Sequence, residues 1–101
     1  MHARASAMSG DPALVDEAAT MLETTLYGQL EQVDGFRGAV ALAQRDTGKS
    51  LIVTFWDSEE TLTASEERAN QMRSAAATQV GATGAPQVDR YEVLFYRARE
   101  K

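Results

Sequence analysis

A chain of 101 residues with net charge −5, no cysteine and one histidine has room for one core, here the single domain 1–101, and for little metal or thiol chemistry. Disulfides, thiolate zinc sites, cysteine-ligated clusters and thiol nucleophiles are excluded, and a lone His2 at the chain end can build neither a multi-histidine metal site nor a good triad base. Fifteen acidic against ten basic side chains argue against nucleic acid or anionic membranes as partners.

The composition, 44% hydrophobic and 25% charged, is that of a folded rather than a disordered chain. Residues 1–8 lack the apolar run of a secretory leader, and no stretch of about twenty apolar residues is present. A cytoplasmic location is therefore expected.

Residues 2–8 alternate, with Ala3, Ala5 and Ala7 on one side and His2, Arg4, Ser6 and Met8 on the other, which predicts a first strand. Ser9-Gly10-Asp11-Pro12 reads as a turn in which Asp11 caps a helix and Pro12 takes its first position. Leu14, Ala18, Leu22, Leu26 or Thr25, Gln29 and Val33 then recur at three- and four-residue spacing, and Asp34-Gly35 ends that helix. Residues 36–45 alternate again, with Phe36, Gly38, Val40 and Leu42 against Ala39, Ala41 and Ala43. A turn at Asp46-Thr47-Gly48-Lys49 leads into residues 50–56, where Leu51, Val53 and Phe55 alternate with Ile52, Thr54 and Trp56, completing a hairpin.

Ser58 caps a second helix with Glu59 and Glu60 in its first turn. Leu62, Ser65, Ala69, Met72 and Ala76 form its thinly apolar inner face, and an interruption is expected near Thr63–Ser65. A Gly-, Ala- and Thr-rich loop over residues 81–86 precedes a last strand over 87–97, in which Tyr91, Val93 and Phe95 face one way and Arg90, Glu92, Leu94 and Tyr96 the other. Thr47-Gly48-Lys49-Ser50 imitates the end of a phosphate-binding loop, but Ala43 stands where the motif needs glycine and the segment joins two strands.

The order β-α-β-β-α-β predicts a ferredoxin-like α+β fold: a four-stranded, mainly antiparallel sheet with both helices on one face. Right-handed crossovers are expected to set the first and third strands side by side and parallel. The phase assigned above leaves Arg4, Ser6, Ile52, Thr54, Trp56, Leu94 and Tyr96 on the uncovered face. That surface is too large and apolar to stay bare, so a homodimer is expected.

Asp34-Gly35-Phe36-Arg37-Gly38, followed by the hairpin and by Val53-Thr54-Phe55-Trp56-Asp57-Ser58-Glu59-Glu60, resembles the antibiotic biosynthesis monooxygenase superfamily over nearly the whole chain. The resemblance implies a dimeric α/β barrel, in which two ferredoxin-like sheets enclose the barrel and the helices lie outside. It also implies a choice among cofactor-free oxygenases of polycyclic phenols or quinol precursors, haem-degrading enzymes and domains without chemistry. In the oxygenase members a polar amide precedes the tryptophan by four residues and a tyrosine follows it by six. Ile52 and Leu62 stand there in this chain. The haem-degrading members use an asparagine on the first strand, a second tryptophan in the following helix and a histidine ligand. This chain has Ser6 or Ala5, a residue near Ser65, and no histidine beyond His2, so haem degradation is not expected.

Trp56, Arg4 and Ser6 are the candidate catalytic residues: Trp56 as a pocket wall, Arg4 and Ser6 as cation and hydroxyl for an anionic substrate. Against this, Trp56 serves equally as packing beneath the second helix, and Arg4 as the partner of Glu92 on the last strand. Thr54, Tyr96, Ile52 and Leu62 are the candidate ligand-lining residues. Tyr91 is expected in the core, and Asn70 and Arg73 on the exposed side of the second helix. No metal and no cofactor are expected. An electron-rich phenol, deprotonated in a dry pocket, can itself reduce dioxygen, and the protein need only orient it and stabilise the anion. Two readings stay open: a cofactor-independent monooxygenase of a small aromatic metabolite, and a non-catalytic dimeric domain that binds a small ligand or none.

Overall fold

The alternation from His2 to Ser9 forms strand β1, as expected. In this computed structural model, residues 1–79, 81 and 86–99 are described. After the turn, the Asp11 carboxylate accepts a hydrogen bond from the Ala13 N–H at 2.9 Å, and Pro12 opens a short 3-10 turn, Pro12–Leu14. The helix continues as α1 (Val15–Met21), passes through a π-turn at Leu22–Leu26 and resumes as α2 (Tyr27–Leu30). The π-turn was not legible in the sequence. It swings the Leu22 and Leu26 side chains relative to a regular helix, and such turns often accompany functional sites.

Strands β2 (Phe36–Ala43) and β3 (Lys49–Trp56) form the hairpin. Gly48 at its turn has φ +79°, and its carbonyl accepts from the Gly10 N–H at 2.9 Å, tying the hairpin to the β1–α1 turn. A Cβ at Gly48 would lie 2.0 Å from the Gly10 carbonyl oxygen. Gly48→Ala is therefore expected to cost about 3 kcal/mol, from the left-handed backbone and from backbone forced apart. Urea denaturation reads this directly, and an unchanged midpoint would remove the glycine's assigned role.

The second helix is interrupted as expected. α3 (Glu59–Ala64) starts at a reciprocal cap, in which the Ser58 hydroxyl accepts from the Thr61 N–H (3.2 Å) and the Thr61 hydroxyl accepts from the Ser58 N–H (3.3 Å). Ser65 separates it from α4 (Glu66–Gln79). Leu62, Ser65, Ala69 and Met72 are buried along the predicted inner face. The Ala76 side chain, like residues 82–85 of the predicted loop, lies outside the described residues.

The sheet has order β2-β3-β1-β4, where β4 is Gln87–Glu92, and every neighbouring pair is antiparallel. The expected parallel pairing of the first and third strands is thus corrected. The α1–α2 crossover returns β2 parallel to β1 but one strand away, and β3, running back through the hairpin, fills the gap.

A second correction concerns which face the helices cover. Arg4, Ser6 and Met8 of β1 and Ile52, Thr54 and Trp56 of β3 point toward the helices, with Arg4 2% and Trp56 0% exposed. The uncovered face carries the other phase: Ala3, Ala5 and Ala7 across from Phe55, Val53 and Leu51, with Val40 and Leu42 beyond. Period two separates two faces but does not say which one a helix will meet. Both phases are apolar enough here, and the turn at Asp57–Ser58 decides by laying α3 over the side to which Trp56 points.

A bulge between Phe36 and Gly38 splits the row assigned to β2. Phe36 packs edge-on between Tyr27 and Trp56, each ring centroid 5.5 Å away, while Val40 and Leu42 stay on the uncovered face. The last strand also stops early. Val93 N–H still reaches the Met1 carbonyl, but Leu94 and Phe95 beyond it are 89% and 78% exposed. Tyr96 stacks on Phe55 at 5.3 Å, on the uncovered side of the sheet. Tyr91, expected in the core, is 55% exposed on that same side, because no second layer covers it in the single chain.

Candidate functional site

Arg4 sits on β1, one of the two central strands, on the helix-covered face under the α3–α4 break. Its Nη2 donates to the Leu62 carbonyl at 2.7 Å, to the Ser65 hydroxyl at 3.2 Å and to Glu66 Oε2 at 2.8 Å. The break explains the burial: the end of α3 leaves a carbonyl without an intrahelical partner, and a cation suits the negative pole of a helix. The Ser65 hydroxyl also donates to Leu62 O at 2.7 Å. The guanidinium carbon Cζ lies over the Trp56 ring, 5.8 Å from its centroid.

Glu66 is the counter-ion for three cations. Besides Arg4, Arg90 of β4 approaches Oε2 at 2.5 Å and Arg73 of α4 approaches Oε1 at 3.6 Å. The expected Arg4–Glu92 pairing is replaced by this cluster, since register sets Arg4 beside Arg90 and the long side chains meet at α4. Burial alone would push the Glu66 carboxyl up, but Arg4 and then Arg90 outweigh it and hold the group below its ordinary range. Burial pushes the Arg4 guanidinium down, with Glu66 opposing, and it remains charged at neutral pH.

Two nitrogens of Arg4, Nε and Nη1, and Nη1 of Arg73 are buried without a hydrogen-bond partner. Both side chains line a cavity of about 50 Å³ between sheet and helices, together with Ser6, Thr54 and apolar side chains of the π-turn and α4. Thr54 accepts the Trp56 indole N–H at 3.0 Å, which leaves the threonine's own hydrogen free to donate. A larger apolar cavity of about 220 Å³ adjoins it, between α1 and the hairpin, and Leu22 and Ile52 line both spaces. Arg45, on the rim of the larger space, makes a two-bonded pair with Asp16 of α1 at 2.8 and 3.1 Å.

The structure brings together four of the candidate residues, Arg4, Ser6, Thr54 and Ile52, around one cavity. Trp56 supports that wall from behind without lining it, and Leu62 contributes its carbonyl to Arg4 while its side chain is 1% exposed in the core. Tyr96 lies on the opposite face of the sheet. Sequence reasoning missed Arg73, expected on the exposed side of its helix, although its side chain is only 10% exposed. The signal lay in the seven-residue spacing from Glu66, which returns Arg73 to the same helix face two turns on. The lining offers neither imidazole nor thiolate and the inner space is far smaller than a porphyrin, so the site does not fit haem. No group of three or more histidine, cysteine, aspartate or glutamate side chains is arranged to hold a metal among the described residues. Nor is any described helix long and apolar enough to cross a membrane.

No family model matches the sequence. The chain is 25% identical to the uncharacterised protein Rv2558 of Mycobacterium tuberculosis over 94% of its own length, and spans 39% of that relative. The monooxygenase ActVA-Orf6 of Streptomyces coelicolor, solved with nanaomycin D, superposes with TM-score 0.75 at 17% identity, covering 98% of this chain and 92% of the other. A proposed antibiotic biosynthesis monooxygenase of Deinococcus radiodurans gives 0.68 at 16% identity over the whole of both chains. The haem degrader MhuD of M. tuberculosis, solved with two haems in its active site, also gives 0.68, at 20% identity over 97% of this chain and 100% of the other. With the strand order and the helix-covered face described above, these matches establish a ferredoxin-like fold that the chain shares with these monooxygenase-type proteins.

Proposed function

We propose that the chain works as a cytoplasmic homodimer of monooxygenase type. The cavity on the helix side of each sheet takes a small electron-rich aromatic metabolite as its oxyanion. The observation that carries this reading is the buried Arg4 guanidinium, with two unpartnered nitrogens at the edge of an otherwise apolar space. A phenol bound there loses its proton to solvent more readily, because Arg4 and Arg73 stabilise the anion in a water-poor site. Glu66 is not assigned as the base, because Arg4 and Arg90 occupy its carboxylate and hold it below its ordinary range. The anion then transfers electrons to dioxygen. For a ring methylene becoming a carbonyl, one oxygen atom stays in the product and the other leaves as water with the two methylene hydrogens. The substrate supplies all four electrons.

The dimer is supported by the uncovered sheet face, where Val40 and Leu42 are 40% and 53% exposed beside Leu51, Val53 and Phe55. A facing sheet would close the barrel. The second reading, ligand binding without chemistry, is favoured by the size of the site. The joined cavities suit one ring rather than a polycycle, at the small end of ligand pockets. Oxygen uptake with a panel of single-ring quinols and an anthrone decides between them, with sedimentation reporting the assembly. Turnover that falls at least tenfold in Arg4→Met, in a species of two-chain mass, supports the oxygenase. Wild-type uptake no faster than buffer for every substrate leaves the binding domain, and a one-chain mass removes the dimer.

A further inference from the structure

Three arginines against one carboxylate leave the cluster around Glu66 with an excess of two positive charges, in a chain whose net charge is −5. A buried guanidinium with open nitrogens is costly unless something else is bound there. Among the described residues no second anion reaches the cluster: Glu66 already accepts from Arg4 and Arg90, and Arg73 is otherwise held by the Asn70 side-chain oxygen. The inner cavity is the size of a carboxylate or of one or two waters. The larger space beyond Leu22 and Ile52 is walled chiefly by aliphatic side chains such as Met8, Val15 and Ala18.

The geometry points to a binding site for a small monocarboxylic acid, with its carboxylate on Arg4 and Arg73 in the inner cavity and its apolar body in the outer one. This rests on the ligand-binding half of the reading above and specifies the ligand's charge. The volumes of about 220 and 50 Å³ hold roughly nine or ten non-hydrogen atoms, at the ~30 Å³ of a water-sized group in a liquid. Phenylacetate and octanoate have that size. The π-turn places Leu22 between the two compartments, so a rotamer change at one side chain joins them. A neutral ligand of the same shape leaves the arginine nitrogens unpartnered and gains only the apolar contact.

The test is calorimetric titration of the full chain with phenylacetate and its neutral isostere phenylacetamide, and with octanoate and octanamide, at one low ionic strength. Each acid is expected to bind saturably and at least tenfold tighter than its amide. That preference is expected to fall to about twofold or less in Arg4→Met and in Arg73→Met. Should Arg4→Met fail to fold by circular dichroism, Arg73→Met decides alone. Equal binding of acid and amide, a preference that survives in Arg73→Met, or no saturable binding of either acid at millimolar concentration overturns the assignment. A rise in melting temperature with inorganic sulfate equal to that with the acids also overturns it, as a non-specific anion effect. Acid binding without oxygen uptake sinks only the monooxygenase reading. Turnover of neutral phenols without any acid preference sinks only this one.

Discussion

Replacing Trp56 with alanine is expected to lower the stability of the chain by about 4 kcal/mol, which for a domain of this size moves the melting temperature by roughly 15–30 °C. The side chain is 0% exposed, and its removal opens a hole at the junction of β3, β1 and α3. Three further contacts go with it: the edge-on Phe36 ring, itself edge-on to Tyr27, the Arg4 guanidinium above the ring, and the hydrogen bond to Thr54. Trp56→Phe keeps most of the volume and should recover well over half of the loss. It deprives Thr54 of its donor, so any effect on ligand binding in that variant reports on the cavity rather than on the fold. A melting temperature for Trp56→Ala within a few degrees of wild type would contradict this account of the residue.

The second large effect is expected at Glu66, as a pair of opposite outcomes. Glu66→Gln removes the one carboxylate that meets the cluster among the described residues and leaves Arg4, Arg73 and Arg90 to repel one another. Breaking a buried pair in this way costs about 3–5 kcal/mol, and partial exposure of Glu66 at 37% brings the expectation to about 2 kcal/mol. Arg4→Met, by contrast, is expected to change stability by less than about 1 kcal/mol in either direction. It leaves no orphaned acceptor, because the Leu62 carbonyl keeps the Ser65 hydroxyl and Glu66 keeps Arg90. Removing a cation whose own donors are open sets that free energy against the lost bonds.

Acid titration carries the same information. The Glu66 carboxyl is held below its unfolded range, so its contribution is complete above about pH 5 and disappears as pH falls through the lower folded value. Glu66→Gln should flatten that part of the stability–pH curve. If wild type and variant lost stability in parallel below pH 5, the ion cluster would not be the acid-sensitive element.

How far the residues alone lead can be judged from three places. Ser58 followed by two glutamates announced a helix start, and the structure has the cap with its hydrogen bonds, because capping is a local matter settled within four residues. Arg4 was singled out as a cation on a strand that also carries Ser6, and the two do share a cavity. Its partner was misjudged. Neighbouring strands suggested Glu92, whereas Glu66 lies 62 positions along the chain and meets Arg4 only because the helix breaks directly above it. The sequence sets Arg68 and Arg73 against Glu66 and Glu67 on an exposed helix face; the Arg73–Glu66 pair forms, but the Arg73 side chain is largely buried. The spacing from Glu66 sets Arg73 on the same helix face, but whether that face turns inward depends on how the helix lies on the sheet. The spacing sets Leu22 and either Leu26 or Thr25 on the inner face, and the structure buries Leu26, yet the π-turn that sets these side chains at the cavity depends on tertiary packing and has no local code.

Length, charge, the missing cysteine and the single histidine excluded whole classes of chemistry before any fold was considered, and the order of elements named the ferredoxin-like architecture. These follow from composition and from periodicity, which are local or additive properties of the chain. Strand direction and the choice of covered face were decided only in three dimensions. Both faces of β1 and β3 are apolar enough to be buried, so the outcome turned on the turn at Asp57–Ser58, which lays α3 over the side to which Trp56 points. The α3–α4 break offered a free carbonyl, a hydroxyl and a carboxylate within reach of one side chain, and the sheet settled with Arg4 beneath it.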